Sequence, residues 1–177
     1  TTSYYATYIN ADFVSKFSNT DVRNLFVASS TITNPADFRR YTTRKFKFNF
    51  GSDVPLIRTA EMILIDAEAL ARTPGKEAEA HDLLYALQKN RDVNAVKSTN
   101  TGAALIDEIL LERRKELYAE NGVEWFDAKR LRKGITRTGN HRIFKNLSAD
   151  DKRFFLKVPQ SEIDANESID DTVNKDR

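Results

Sequence analysis

The chain has 177 residues, of which 28 are basic, 26 are acidic and none is cysteine. This length suits one domain spanning residues 1–177, and 40% hydrophobic residues are enough to form a core. The lack of cysteine excludes disulfides, thiol catalysis and cysteine-bound metals. A net charge of +2 gives no general attraction to nucleic acid or membranes, and no run reaches the ~20 apolar residues of a membrane-spanning helix.

The first fifty residues carry few regular patterns. Residues 1–20 have no clear period, and residues 19–21 could cap a short turn into residues 22–27. Residues 28–37 have the composition of a loop. Residues 38–50 contain the strand signal of the chain, because Phe46, Phe48 and Phe50 alternate with Lys45, Lys47 and Asn49.

Two helices are predicted next, over residues 56–72 and 76–93, with Thr73-Pro74-Gly75 as the break between them. Each has an apolar stripe at helical spacing, formed by Ala60, Leu64, Ala67 and Ala71 in the first and by Ala80, Leu83, Leu84 and Leu87 in the second. Two such helices joined by a short break form a helical hairpin. The arrangement resembles the helix pairs of solenoid repeats, in a divergent form without the tetratricopeptide consensus.

The segment Asp107–Gly134 predicts a second hairpin. Its first helix has an apolar stripe formed by Ile106, Ile109, Leu110 and Leu117. Arg113 falls on or beside this stripe and therefore needs a carboxylate or carbonyl partner. Gly122 is expected to end the helix. A short second helix then carries Trp125, Phe126 and Leu131, with Asp127 and Arg130 spaced to form an ion pair.

The carboxy-terminal part is more polar. We expect a long surface loop over residues 135–153, a strand-like run at Phe154–Val158 and a turn capped by Ser161. Residues 167–177 are expected to be a mobile tail.

Carboxylates are the most numerous candidates for chemistry, with Glu61 and Glu68 on one predicted helix and Glu112, Glu116 and Glu120 on another. A glycosidase would need two of them on either side of one sugar bond. The spacing selects no such pair, and we favour a structural role in which Glu61 and Glu68 accept from Arg58, Arg113 or Arg114, or face water. The two histidines, His81 and His141, lack the spacing of a zinc site.

A basic segment, residues 39–48, also combines cations with aromatic side chains. This combination can bind single-stranded nucleic acid. The alternative is an edge strand with its Phe face in the core and its Lys face exposed to prevent aggregation. We favour the strand, because the overall charge is nearly balanced and no further basic stripe accompanies the segment.

Three segments resemble, in order, motifs of the SusD/RagB family, which comprises surface glycan-binding lipoproteins of bacterial nutrient uptake. Residues 53–69 are similar to the family pattern D-x-P-L-I-R-x-A-E-x-x-L-I-x-A-E-A, and residues 112–130 to E-R-R-x-E-L followed by E-G-x-R-x-x-D-L-x-R. Residues 158–166 are similar to P-I-P-x-x-E-I-x-x-N-P, with Lys157 in place of the first Pro and Glu167 in place of the last. Weaker similarities fall at residues 21–23, residues 45–48 and Arg91. Glu124 and Ala128 depart from the second motif, where the family has Arg and Leu.

The resemblance implies a mainly α fold of tetratricopeptide-like helical hairpins with long loops and a few short strands, with the motifs in residues 53–166. It also implies that the motif residues hold the helices together rather than bind ligand. These residues are Arg58, Glu61, Glu68, Glu112, Arg113, Arg114, Trp125, Asp127 and Arg130.

The function implied by the resemblance is non-enzymatic capture of an oligosaccharide or peptide at the bacterial outer membrane, without cofactor or metal, beside a TonB-dependent (SusC-like) transporter. The ligand-contacting residues stay unknown, and nucleic acid is not an expected ligand. Because the chain begins at Thr1, we expect a carboxy-terminal piece of a longer lipoprotein whose lipid-bearing Cys lies elsewhere. The alternative is a helical-repeat scaffold that binds only a protein partner.

Overall fold

The computed structural model describes residues 8–46, 51, 53 and 55–175. Within them the chain forms six α-helices and one antiparallel pair of strands. The helices are α1 (Ala11–Val14), α2 (Thr59–Ala71), α3 (Glu77–Arg91), α4 (Gly102–Leu117), α5 (Val123–Arg130) and α6 (Gln160–Ala165), and the strands are β1 (Phe26–Ala28) and β2 (Tyr41–Thr43). The predicted mainly α class is confirmed.

The described residues fall into two compact units. The first unit runs to Glu124 and includes Thr138–Arg142, and the second comprises Trp125–Arg137 and the residues from Ile143 onwards. No helix among the described residues is long and apolar enough to cross a membrane.

The first predicted hairpin is present as α2 and α3, joined at Gly75, whose φ of 77° is favourable for glycine. The helix starts three residues after the predicted Leu56; Leu56 and Ile57 precede it and are each 76% exposed. The stripe of Ala60, Leu64, Ala67 and Ala71 is buried as predicted, and so are Ala80, Leu84 and Leu87 of the second stripe. Small alanines in these stripes allow the helix axes to approach closely.

The main core lies where α2 packs against both α3 and α4. Leu64, Leu84, Leu105 and Ile109 are fully buried there. A second cluster in the same unit is aromatic. Its members are Phe13, Phe17, Phe26 and Tyr118, with ring centroids 4.9–6.2 Å apart and mostly edge-to-face, an arrangement that aromatic quadrupoles favour.

The strand signal is only partly realised. β2 pairs with β1 in the register Phe26↔Thr43, so strand structure begins before the alternating phenylalanines. Phe48 and Phe50 lie outside the described residues. Phe46 was expected to face the core, but it is 45% exposed.

The break after α4 comes earlier than predicted. The helix ends at Leu117, and Gly122 instead belongs to a tight connection in which Ala119, Asn121 and Gly122 have positive φ angles. The side-chain amide of Asn121 donates to the carbonyl oxygens of Pro55 and Leu56, each at 3.0 Å, and so anchors this connection.

The second unit contains little regular structure. Ile135 and Leu147 form an isolated antiparallel bridge within the expected loop. The strand predicted at Phe154–Val158 is wrong: Lys152–Phe154 forms a 3-10 turn, and the following residues are irregular. The turn predicted to be capped by Ser161 is α6, which starts at Gln160 without a side-chain cap.

The last described residues form a 3-10 turn, Asp171–Asn174. The Asn174 side chain accepts from the Val158 backbone N–H at 2.9 Å and donates to its carbonyl oxygen at 3.0 Å. The mobility of residues 167–177 stays a prediction.

Candidate functional site

Three glutamates spaced four residues apart lie at the end of α4 and just beyond it. Glu112, Glu116 and Glu120 are only 4%, 3% and 7% exposed. Burial of a carboxylate is costly unless cations and hydrogen-bond donors surround it. The partners of these three glutamates therefore define the most highly charged part of the first unit.

Glu116 is the centre of this arrangement. Its Oε1 accepts from Arg58 at 2.7 Å and from Arg91 at 3.0 Å, and its Oε2 accepts from Arg91 and Arg23 at 3.0 Å each. Burial alone would raise the pKa of Glu116, but the hydrogen bonds from Arg91 and Arg58 outweigh it and lower the pKa to about 2. Glu116 is thus a carboxylate that is ionised at neutral pH and shared by three arginines.

Asp21 extends the network on one side. Its side chain is fully buried and receives bonds from Arg23 at 2.8 Å and Lys115 at 2.9 Å. Burial raises the pKa of Asp21, but these bonds to Arg23 and Lys115 prevail and lower it to about 2. Arg23 also reaches Glu112 at 2.7 Å, so the segment before β1 is joined to α4.

Glu120 extends the network on the other side. It accepts from Nε and Nη2 of Arg58 at 2.9 and 2.8 Å and from Lys45 at 2.5 Å. The Lys45 ammonium also donates to the carbonyl oxygens of Glu116 and Tyr118, at 2.9 and 2.8 Å. A cation is favourable at these carbonyls, which lie at the end of α4. Burial lowers the pKa of Lys45 despite its bond to Glu120.

A separate ion pair joins α2 to α4. Arg113 is 7% exposed and donates to Glu61 at 2.9 Å, which gives the arginine on the apolar stripe the carboxylate it needs. Arg114 points elsewhere, to Glu124 at 2.8 Å and over the ring of Phe13 at 4.8 Å. Glu68 bonds Arg72, one turn along its own helix, at 2.8 Å.

Two of the remaining motif residues pair within the second unit. Asp127 accepts from Arg130 at 2.7 Å, as the three-residue spacing predicted. Trp125 is half-buried, and its ring lies 4.7 Å from that of Phe154.

Three of the four cations in the described part of the basic segment 39–48 are bonded within the chain, and the fourth, Arg44, is exposed. Arg39 pairs with Asp37 at 2.7 Å, Arg40 donates to the carbonyl oxygens of Ser29 and Ile32, and Lys45 belongs to the Glu120 network. These internal bonds favour a structural role for Arg39, Arg40 and Lys45 over nucleic-acid binding, whereas the expected strand with a core-facing phenylalanine side is not formed at Phe46.

A surface pocket of about 240 Å³ lies beside the Glu116 network. Its lining combines the network cations with two exposed apolar side chains, Val22 and Leu25. The guanidinium of Arg58 already serves Glu116 and Glu120, and that of Arg91 serves Glu116. The pocket is therefore an opening beside a satisfied ion-pair network.

Sequence reasoning selected only part of this network. Arg58 and Glu112 were selected from the motifs, as were Arg113 and Glu61 of the separate ion pair. Glu116 and Glu120 were noted only because they share the helix face of Glu112. Asp21, Arg23, Lys45 and Arg91 were noted only as weak family similarities, and Lys115 was missed. The repeated four-residue spacing of buried glutamates was the signal that could have identified Glu116 as the centre, since each would need several cations.

In the described part of the chain, no group of three or more histidine, aspartate or glutamate side chains is arranged to hold a metal ion. Both ring nitrogens of His81 instead face backbone carbonyl oxygens, those of Ser98 and Asn100, at 2.7 and 2.8 Å.

A packed helical hairpin, joined to a third long helix and cross-linked by buried ion pairs between distant segments, defines a mainly helical fold. The family model described as the SusD family matches residues 4–174. The chain therefore belongs to the SusD/RagB family.

A solved structure has the same fold. It is the crystal structure of a SusD-like carbohydrate binding protein from Bacteroides vulgatus ATCC 8482, with a TM-score of 0.78 and 22% sequence identity. The alignment covers 94% of the chain described here but 42% of that protein, so the chain spans less than half the length of this structural relative. The comparison with curated proteins gave no match.

Proposed function

We propose that the protein is a non-enzymatic glycan-binding component of a nutrient-uptake complex at the bacterial cell surface. The observation that carries the proposal is the SusD family match over residues 4–174. The shared fold with a SusD-like carbohydrate binding protein supports the same ligand class. The proposed ligand is an oligosaccharide, with a peptide as the second choice of nutrient.

The proposal includes a partner and a location. The partner is a TonB-dependent outer-membrane transporter of the SusC-like type, which would receive the captured nutrient. Attachment to the outer membrane would come from a lipid anchor on a longer form of the protein. Family membership supports both parts of the proposal.

Two of the buried carboxylates, Glu116 and Asp21, are in a state that suits a structural role better than hydrolysis. A glycosidase needs one carboxyl group that is protonated near neutral pH and can donate its proton to the leaving sugar. Glu116 and Asp21 have pKa values of about 2 and are held by arginine and lysine side chains. They are therefore suited to stabilising the scaffold and poorly suited to acid catalysis.

Calorimetric titration of the protein with neutral and acidic oligosaccharides tests the proposal. We expect saturable binding with the sugars recovered unchanged by chromatography. Shortened sugars in the recovered sample would contradict the non-enzymatic part. If no sugar binds while a SusC-like transporter is captured specifically, the protein is instead a scaffold for a protein partner.

A further inference from the structure

The second unit exposes several large apolar side chains. Phe126 is 62% exposed, Phe144 70%, Phe155 49% and Leu156 82%. By contrast, Trp125 and Phe154 of the same unit pack against each other, and Phe154 is buried. Exposed aromatic rings grouped on a surface commonly mark a binding site.

One of these rings lies against a lysine of α5, and a second ring shares the helix face of that lysine. Phe126 and Lys129 are three residues apart in α5 and therefore share a helix face. The Lys129 ammonium lies 4.9 Å from the centroid of the Phe155 ring. We call Phe126, Lys129 and Phe155 the α5 aromatic surface.

Lys129 differs from the cations of the Glu116 network. Among the residues that the structure describes, no carboxylate pairs with Lys129, whose ammonium lies over the Phe155 ring. Arg58 and Arg91, in contrast, are already bonded to buried glutamates. Lys129 thus keeps an ammonium that can bind an added anion.

The surrounding sequence is also strongly basic. Residues 125–137 and 143–157 of the second unit contain nine lysines and arginines against three aspartates. This surplus of six positive charges is offset within the same unit, because residues 158–177 contain six acidic residues against two basic ones, so the second unit as a whole carries a net charge of +2. Two of the three aspartates, Asp127 and Asp151, are each bonded to an arginine. The segment that contains α5, residues 125–137, has five basic residues against one acidic residue, and this local excess favours an anionic ligand at the α5 aromatic surface.

We propose that the α5 aromatic surface binds an acidic oligosaccharide. Sugar rings have apolar C–H faces that pack on phenyl rings, so Phe126 and Phe155 would hold two sugar units. Lys129 would bind a carboxylate or sulfate substituent between them. This inference rests on the proposed glycan-binding function and adds the charge of the ligand and the place where it binds.

Calorimetric titration of the full chain with three probes of similar length tests the inference. The probes are an oligogalacturonate, a sulfated oligosaccharide and a neutral malto-oligosaccharide. We expect one of the acidic sugars to bind more tightly than the neutral one, with an affinity that falls as salt is added. Phe126→Ala and Phe155→Ala should each weaken that binding about tenfold, and Lys129→Gln at least about threefold with a smaller salt dependence.

Two matched variants serve as controls. Phe46→Ala removes an exposed phenylalanine from the first unit. Lys89→Gln removes a lysine that lies over Tyr85, at 5.7 Å, in α3. Both should leave binding unchanged, and thermal melts of all five variants should match the parent protein because the altered side chains are exposed or half-buried.

The outcomes separate this inference from the proposed function. Tight binding of the neutral sugar, unaffected by changes at Phe126 and Phe155, would overturn the inference and leave the function in place. Binding of no sugar at all would overturn both. Equal binding of polyglutamate, with no effect of the phenylalanine changes, would identify a docking surface for an acidic protein and would also overturn the inference.

Discussion

Replacing Glu116 with glutamine should destabilise the protein strongly. The substitution keeps the size of the side chain but removes the charge shared by Arg23, Arg58 and Arg91. The three guanidinium groups would then remain close together without their common carboxylate. Removing one partner from a buried ion pair typically costs about 3 to 5 kcal/mol.

The pKa of Glu116 gives a second estimate of this cost. The fall from 4.5 to about 2 means that the folded protein stabilises the ionised form relative to the unfolded chain. At about 1.4 kcal/mol per pKa unit, this fall corresponds to about 3 kcal/mol. Because Glu116 is only 3% exposed, solvent screening reduces this figure little. We therefore expect Glu116→Gln to lower the free energy of unfolding by about 3 kcal/mol at pH 7.

The same interaction has a defined pH dependence. Because the folded-state pKa is lowered, the stabilisation is fully present above the ordinary value of 4.5 and is lost as the pH falls towards about 2. Urea denaturation at pH 7, 4.5 and 3 measures this loss. The free energies of unfolding of the parent protein and the Glu116→Gln variant should converge as the pH falls.

A control substitution at an exposed glutamate separates the effect of losing a buried charge from the effect of losing any charge. Glu79 pairs with Lys76 on the surface, and its side chain is 56% exposed. Glu79→Gln should change the free energy of unfolding by less than about 0.5 kcal/mol. A cost below about 1 kcal/mol for Glu116→Gln, or a difference from the parent that does not shrink in acid, would refute the argument that Glu116 holds the scaffold together.

Three further substitutions test the packing. Trp125→Ala should lower the free energy of unfolding by about 2 to 3 kcal/mol, which is less than the loss expected for a fully buried ring, because the indole is half-buried. A loss below about 1 kcal/mol together with loss of sugar binding would make Trp125 a ligand contact. Leu84→Ala should cost about 3 to 4 kcal/mol in urea melts, since Leu84 is fully buried, and a near-neutral result would contradict the described core. Gly134→Ala should lower the melting temperature more than Gly75→Ala. Both positions have positive φ, but an added Cβ would meet backbone atoms only at Gly134. Equal shifts in melting temperature would be inconsistent with this close approach.

Much of the helical part was predictable because its information is local. The stripes of α2 and α3 follow from the 3.6-residue helical period, and the pair Asp127–Arg130 follows from a three-residue spacing. The burial of Arg113 could also be inferred, because an arginine between Leu110 and Leu117 has to share their face of the helix.

The less regular parts were harder to predict. Phe154–Val158 has the composition of a strand, but strand structure requires a partner strand, and within the described residues the run has none. The end of α4 was predicted too late in the chain because it also depends on contacts with distant segments. Glycine permits a positive φ, but here Ala119 and Asn121 also adopt one, and Lys45 and Asn121 bonds tie the connection to other segments.

The sequence by itself determined the mainly helical class, the faces of the long helices and the need of Arg113 for a carboxylate or carbonyl partner. Only the tertiary structure decided which charges meet. Arg23, Arg58 and Arg91 lie 93, 58 and 25 residues from Glu116 along the chain. Helical periodicity carries no information on contacts between residues so far apart in sequence. Burial makes these contacts strong ion pairs, because a carboxylate that is removed from water requires the cations that the fold places beside it.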